Sequence, residues 1–515
     1  MTLTSSLLLS LTLGLACGDK DDDTGTGDGG ATDGGAGDGG GTTGDGGGTT
    51  GDGGGDGGTT GDGGTGDGGA AATADVRVVH ASPDAPSVDI WVAGGDAPVI
   101  NDLAFGEATG WLSVPVGAYD FQVKVHPSTS ADAPVYSTGE LDLAEGVQVT
   151  ALATGLVGSA SAEDTFRVLP LVESWGEATA GTFRARIVHA SPDAPTVALD
   201  VGNDGSPEVA GFERFADTES LVPGGVPLPS DVELQVGVWA GEPLSRVTAF
   251  TLPALPEGSE VLVLASGLLG DAAWQPTGFQ LLALPGDAGT VSIGQNPVVY
   301  ALHGSPDAPR VDIFAGDTEL VDGAAFGDLA GPIQVPPGEY ILDFFASSAG
   351  STRPAGSPAA SASTGSLAAS ETYLAMANGF LGDGSFELLA WADRFDRADA
   401  ANVRVRIGHA SPDAPAVEVG PIEGGAVTSL GLLAYGEDLG EQGLSLPPGP
   451  LPVGLALEGT SNPVVTFDLN LSGLAGARFF ALAAGSLSDP RAEAFRLLLI
   501  DTSVAPWQVS SVSPD

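Results

Sequence analysis

The stretch His80-Ala-Ser-Pro-Asp-Ala-Pro86 decides the fold, because it returns three more times along the chain. It recurs as His189 to Pro195 and His409 to Pro415, and, with glycine in second place, as His303 to Pro309. The four histidines are 109, 114 and 106 residues apart. This period is too long for one solenoid unit and is typical of a small domain. The sequence therefore predicts four tandem modules, over residues 75–174, 182–287, 297–393 and 402–502.

Each copy of the heptapeptide ends a stretch whose alternating apolar residues indicate a β-strand. Val76 and Val78 share parity with His80, so the histidine ends the row that faces the interior. A second alternating stretch with Val88 and Ile90 follows the turn. Four residues of the first strands have the opposite parity and are expected to face water: Arg77, Arg186, Tyr300 and Arg406.

Later landmarks recur in the same order in every module. A Pro/Gly turn leads into another strand, and a tyrosine follows that turn in the first and third modules, at Tyr119 and Tyr340, but not in the second and fourth. Seven or so short strands per module, separated by Gly and Pro, predict an all-β fold of four immunoglobulin-like β-sandwiches. Cys17 is the only cysteine, so each core must rest on apolar packing without a disulfide.

The heptapeptide itself is best explained as a structural corner. Ser82-Pro-Asp84 fits a type I turn, and His80 at the end of the inward row can donate to a carbonyl or to the aspartate. The residues that we expect to form these corners are His80, Ser82, Asp84, His189, Ser191, Asp193, His303, Ser305, Asp307, His409, Ser411 and Asp413.

Two chemical alternatives use the same residues. His80, Ser82 and Asp84 are the residue types of a hydrolase triad, but side chains so close in sequence do not easily form the relay geometry. A metal site built from His80, Asp84 and Asp89 is possible, but the second module has Ala198 where the third ligand would stand. We therefore assign no catalytic residue, no metal ligand and no cofactor.

At residues 76–90, Val-Arg-Val-Val-His-Ala-Ser-Pro-Asp-Ala-Pro-Ser-Val-Asp-Ile, the chain resembles the bacterial family called domain of unknown function 4397. The resemblance extends over all four modules, roughly residues 75–502, and is weakest in the second. It implies an exported, β-rich domain. It implies no established activity and no catalytic residues.

The N-terminal region is expected to export and anchor the modules. Residues 1–17 read as a lipoprotein-like signal, in which the apolar run Leu7 to Leu15 precedes Cys17, the predicted lipidation site. Residues 18–74 are almost entirely Gly, Asp and Thr, so they offer no apolar surface to bury and are predicted to be a disordered tether. For a flexible glycine-rich chain of this length, the end-to-end distance would be roughly 40 Å.

Charge narrows the possible partners. The formal net charge is −50 with only 17 Lys and Arg, which argues against nucleic acid as a partner. We expect an exported outer-membrane or cell-surface lipoprotein without enzymatic activity, held to the membrane by its lipid and contacting an unknown extracellular ligand or matrix. The alternative is a small-molecule or carbohydrate-binding surface protein that uses outward aromatic residues such as Trp91.

Overall fold

The computed structural model describes residues 71–286, 289–348 and 350–515. The predicted signal, Cys17 and the linker up to residue 70 lie outside the described residues. Apart from one 3-10 turn at Thr218–Ser220, the regular elements of these ranges are β-strands. Within the same ranges there is no helix of the length and apolarity that crossing a bilayer requires.

Module 1 is a sandwich of two four-stranded sheets. Its strands are β1 (Thr73–His80), β2 (Val88–Val92), β3 (Ile100–Leu103), β4 (Leu112–Pro115), β5 (Gly117–Val125), β6 (Tyr136–Leu143), β7 (Gln148–Thr154) and β8 (Arg167–Val172). One sheet has the order β4-β1-β7-β8 and the other the order β3-β2-β5-β6. Strands β1 and β7 are parallel, and the other neighbours are antiparallel.

The other modules repeat this plan. Module 2 contains β9 (Thr182–His189), β10 (Val197–Val201), β11 (Val209–Phe212), β12 (Val226–Pro229), β13 (Leu234–Ala240), β14 (Ser245–Leu252), β15 (Glu260–Ser266), β16 (Gln280–Pro285) and β17 (Val291–Ile293). Module 3 contains β18 (Val298–His303), β19 (Val311–Ala315), β20 (Thr318–Ala324), β21 (Leu329–Gln334), β22 (Gly338–Ala346), β23 (Ala360–Leu367), β24 (Thr372–Asn378) and β25 (Glu387–Ala392).

Module 4 contains β26 (Val403–Ala410), β27 (Val417–Glu423), β28 (Ala426–Val427), β29 (Gly431–Leu433), β30 (Asp438–Leu446), β31 (Pro450–Leu457), β32 (Pro463–Asn470), β33 (Arg478–Ala484), β34 (Arg496–Asp501) and β35 (Gln508–Val512). In every module we call the sheet that holds the first strand the pairing sheet, and the other sheet the outer sheet.

The all-β prediction and the sandwich architecture are confirmed. Val76 and Val78 are buried between the two sheets of module 1, as their parity indicates. The structure refines the strand order of the immunoglobulin-like expectation. Eight strand positions build each sandwich instead of about seven, and in module 4 the short β28 and β29 share the third position, both paired with β27. Counted in this way, the first strand lies beside the seventh, flanked by the fourth and eighth.

The modules pack in two pairs through the outward faces of their pairing sheets. Val79 and Leu152 of module 1 meet Val188 and Leu264 of module 2 in one apolar cluster, and all four side chains are fully buried. Modules 3 and 4 join through residues at matching strand positions: Leu302, Leu374, Met376, Trp391, Phe480, Leu482, Leu498 and Ile500. Because both members of a pair contribute the same strand positions, each contact is self-complementary, as in a two-fold dimer.

Cation–π contacts flank both pairs at matching positions. The guanidinium of Arg167 in module 1 lies 4.0 Å from the ring centre of Phe215 in module 2. In the second pair Arg496 of module 4 lies 5.2 Å from the ring centre of Phe326 in module 3. The repetition of this contact shows that both pairs use one packing geometry.

This packing overturns the expectation that Arg77, Arg186, Tyr300 and Arg406 face water. All four are at most 7% exposed. Arg77 forms a buried ion pair with Glu173 at 2.5 Å and donates to the carbonyl of Gly286. Alternation assigned these side chains correctly to the outward face of a sheet, but it carries no information about a second module that covers this face.

A ninth strand completes the second member of each pair. β17 lies between the predicted bounds of modules 2 and 3, and β35 lies beyond residue 502, the predicted end of module 4. Each extends the pairing sheet of its own module. Trp507, just before β35, stacks on Tyr300 of module 3 with ring centres 4.3 Å apart. The chain after each even-numbered module therefore returns to its odd-numbered partner.

The pair contact can be tested with two matched substitutions. We expect Leu152→Glu to destabilise the full chain by about 3–5 kcal/mol, because it places a carboxylate in the apolar contact between modules 1 and 2. Ile341→Glu is the control, since Ile341 is 57% exposed on an outer sheet, and should change stability by less than about 0.5 kcal/mol. Urea unfolding measures both. Equal effects would show that the pairing face is open to solvent.

Candidate functional site

The serine of each heptapeptide ties the corner to the end of the seventh strand. All four serines are fully buried. Each hydroxyl donates to the carbonyl of the glycine that ends this strand, at 2.6–2.7 Å: Ser82 to Gly155, Ser191 to Gly267, Ser305 to Gly379 and Ser411 to Gly485. The hydroxyl thus joins the turn after strand one to its parallel neighbour.

The histidine closes the heptapeptide on itself. His80 Nε2 lies 3.1 Å from the carbonyl oxygen of Pro86, and the other three copies repeat this contact at 3.0–3.1 Å. A carbonyl only accepts, so Nε2 carries the proton and the neutral ring suffices. The ring also lies against an aromatic side chain, which is Phe105 in module 1. Burial lowers the pKa of all four histidines below the ordinary value of 6.5.

The aspartate holds the loop between strands seven and eight. Asp84 accepts from the amides of Val157 and Gly158 at 2.9 and 2.8 Å. Asp193, Asp307 and Asp413 bind the equivalent pairs of amides. Partial burial alone would raise the pKa of Asp413, but hydrogen bonds from Ser488, Leu487 and Ser486 outweigh it and lower the pKa to about 2.

The three side chains therefore do not form a catalytic relay. The serine hydroxyl donates to a backbone carbonyl, the histidine faces a different carbonyl, and the aspartate binds loop amides. A nucleophile needs its base within hydrogen-bond reach, and here the hydroxyl is directed elsewhere. These hydrogen bonds fix the turn after the first strand to the rest of the sandwich, and we call the serine, histidine and aspartate together the corner lock.

The acid considered as a third metal ligand is engaged in its own network. Asp89 is fully buried and accepts from Ser128 N and Oγ at 2.9 and 2.6 Å, from Asp102 N and from His126 Nδ1. In module 2 the buried acidic residue stands at a different position of the second strand. Asp200, two residues after Ala198 and on the same face of β10, is fully buried and accepts from Trp239 Nε1 at 3.0 Å. Residues two apart on a strand lie on the same face, so looking two positions further along the sequence for an acidic residue would have found Asp200.

Trp91 does not offer an exposed ring. It is 4% exposed, its Nε1 donates to Ser128 Oγ at 2.9 Å, and Lys124 Nζ lies 4.6 Å from its ring centre. The outward aromatic ring that the alternative function would use is therefore not available at this position, because the chain around Ser128 covers the ring.

Three acids of module 3 come together on its outer sheet. The carboxylate oxygens of Asp312, Glu319 and Asp322 lie within 4.8 Å of one another. Burial and the neighbouring Asp322 and Asp312 raise the pKa of Glu319. Asp312 already accepts from the amides of Gly323 and Ser348, at 2.8 and 2.9 Å. None of the heptapeptide residues belongs to this cluster.

The corner lock predicts a specific response to acid. The histidines keep a lowered pKa in the folded protein, so the unfolded chain takes up protons first as the pH falls through 6.5. Stability should therefore be full above about pH 6.5 and decline below it. His80→Ala should cost about 1–3 kcal/mol at pH 7.5 and reduce this decline. Urea unfolding at pH 7.5 and 5.5, followed by tryptophan fluorescence, measures both quantities.

His80→Gln is the matched variant, because its amide can donate to Pro86 without titrating. It should retain more stability than His80→Ala and show the same reduced decline. An unchanged stability of His80→Ala would remove the structural role. Destabilisation of the wild-type protein by a chelator would instead indicate a metal site.

The aspartate of the corner should act at lower pH. The pKa of Asp413 is about 2 in the folded protein and 3.8 ordinarily, so its contribution is present above about pH 4 and lost between about pH 4 and 2. We expect Asp413→Asn to cost about 1–2 kcal/mol at pH 7, allowing for solvent screening. Glu458→Gln, at an exposed position of module 4, should cost nothing measurable. Equal melting temperatures for the two variants would contradict this role.

Comparison with known proteins gives two matched segments, one for each pair of modules. The family model described as Domain of unknown function (DUF4397) matches residues 74–200 and 297–420. Each matched segment begins at the first strand of a pair, β1 or β18, and ends within the second strand of the other member, β10 or β27. A search of curated proteins finds no match. The resemblance in the heptapeptide region is thereby confirmed: residues 74–200 and 297–420 carry repeated copies of the domain of the DUF4397 family.

Proposed function

We propose that this protein is a non-enzymatic cell-surface or periplasmic lipoprotein that displays its paired modules for adhesion or matrix contact. One observation carries the proposal: the residues that recur in all four modules use their polar groups on the protein's own backbone. The recurring residues thus stabilise the β-sandwich fold itself. A reactive site would need such groups free to meet a substrate.

Pairing supports the display of several similar surfaces. In each pair the pairing sheets are covered, so the outer sheets carry the surface available to a partner. Ile341 on β22 and Val464 on β32 are 57% and 56% exposed on these sheets. Repeated weak contacts on one chain raise the overall avidity without a strong single site. The net charge of −50 favours a neutral or cationic partner over an anionic one.

Membrane attachment is the first part of the proposal to test. We expect the wild-type protein to sediment with membranes after a salt wash, and Cys17→Ser to appear in the soluble fraction, because the substitution removes the thiol that would carry the lipid. Labelling with a radioactive fatty acid gives an independent readout. If Cys17→Ser remains with salt-washed membranes, the lipoprotein proposal is wrong.

Adhesion requires a second measurement. Cells that produce the wild-type protein should adhere to an array of matrix polymers and glycans more strongly than cells with Cys17→Ser. The purified soluble variant should compete with this adhesion only at high concentration, because single contacts are weak. Wild-type cells that display the protein and adhere no better than cells lacking it would contradict an adhesive role. Tight binding of one sugar or small molecule would favour the alternative of a dedicated ligand-binding protein.

A further inference from the structure

The space between the two sheets differs among the modules. Module 4 contains a cavity of about 340 Å³ and module 2 one of about 280 Å³, whereas the cavity at the same place in module 1 is about 90 Å³. All three lie between the pairing sheet and the outer sheet. The second member of each pair therefore holds a cavity at least three times larger than that of module 1.

Two positions on the fifth strand account for the difference. In module 1, Tyr119 and Phe121 stack with ring centres 5.7 Å apart and line the small cavity. The strand register places Phe121 opposite Val92, Val236 opposite Val201, and Val453 opposite Pro421. The residues equivalent to Tyr119 and Phe121 are thus Leu234 and Val236 in module 2, and Leu451 and Val453 in module 4. Both even-numbered modules have replaced two rings by aliphatic side chains.

The large cavities are apolar inside and acidic at the surface. Leu455, Phe467 and Leu497 are among the buried residues that line the cavity of module 4. The exposed lining residues of this cavity include Asp468 and Asn470. In module 2 the exposed Glu208 lines the cavity in the same way. An exposed acidic residue therefore lies at the edge of each large cavity.

We propose that the cavities of modules 2 and 4 each bind one alkyl chain, with a neutral or cationic end group beside Asp468 or Glu208. Volumes of about 300–1,000 Å³ are usual for small-molecule sites. The cavity of module 4 lies at the lower end of this range and that of module 2 just below it. An empty apolar cavity destabilises a fold in proportion to its volume, which an alkyl occupant would offset. An anionic end group would be repelled by the carboxylate and by the net charge.

The same pair of changes in modules 2 and 4 is the strongest argument for a binding role. Loss of one ring in one module would be an ordinary variation of core packing. Here the odd-numbered modules keep the tyrosine, whose hydroxyl donates to the carbonyl of Pro115 or Pro336 at 2.8 or 2.7 Å, and the even-numbered modules both lack it. Module 3 has Leu342 at the position of Phe121, opposite Ala315. The tyrosine is therefore the ring that both odd-numbered modules keep and both even-numbered modules lack.

Titration of the full soluble chain, Cys17→Ser, with alkylamines, alkyl alcohols and alkyl carboxylates below their aggregation concentrations tests the proposal. Calorimetry should show two sites per chain. Affinity should rise about fourfold for each added methylene until the cavity is full. Amines and alcohols should bind at least tenfold more tightly than carboxylates of equal length. Absence of saturable binding, or preference for the carboxylates, would overturn the proposal.

Exchange of the fifth-strand residues provides matched variants. Leu451→Tyr with Val453→Phe should remove one site and raise the melting temperature of the ligand-free protein, because it fills the cavity. Leu234→Tyr with Val236→Phe should do the same in module 2. In the converse variant, Tyr119→Leu with Phe121→Val, module 1 should gain a third site. Unchanged stoichiometry in the folded converse variant, or full binding with both cavities filled, would show that the alkyl chains bind elsewhere.

Discussion

The buried polar corner is the constraint on which each module depends. A hydroxyl and an imidazole at 0–3% exposure are costly unless their hydrogen bonds are made inside the protein. Ser82 meets this requirement through Gly155, at the end of the neighbouring parallel strand, and His80 meets it through Pro86. The first strand, its following turn and the seventh strand are thereby set in one register. The same three residues occur in all four modules because each module has to fix the same strands and turn with buried polar groups.

The repeating unit of the structure is a pair of modules, whereas the repeating unit of the sequence is a single module. The heptapeptide marks modules of about one hundred residues, but the apolar surface of each pairing sheet is buried only against a second module. Arg77 and Tyr300 occupy the same strand position in the two pairs and interact differently, the former with Glu173 and the latter with Trp507. The two pairs have thus kept one contact geometry with different side chains.

The sequence alone predicts the interior of one module well. The parity of Val76, Val78 and His80 places these residues correctly, because alternation depends only on the local strand. It cannot show that the outward Arg77 is covered or that the chain around Ser128 covers Trp91, because these contacts depend on distant parts of the fold. The missing tyrosines of modules 2 and 4 were visible in the sequence, but the cavities that accompany this loss require three dimensions.

The parallel pairing of β1 with β7 has a mechanical consequence. Residues Asp75 to His80 lie alongside Gln148 to Ala153, and β1 is the first strand of the part of the chain that the structure describes. A force that pulls on the N-terminus along β1 therefore loads these hydrogen bonds in shear, all at once. An antiparallel hairpin pulled at its open end would instead unzip one bond at a time. A protein built in this way resists tension best along the direction in which its N-terminus would be pulled.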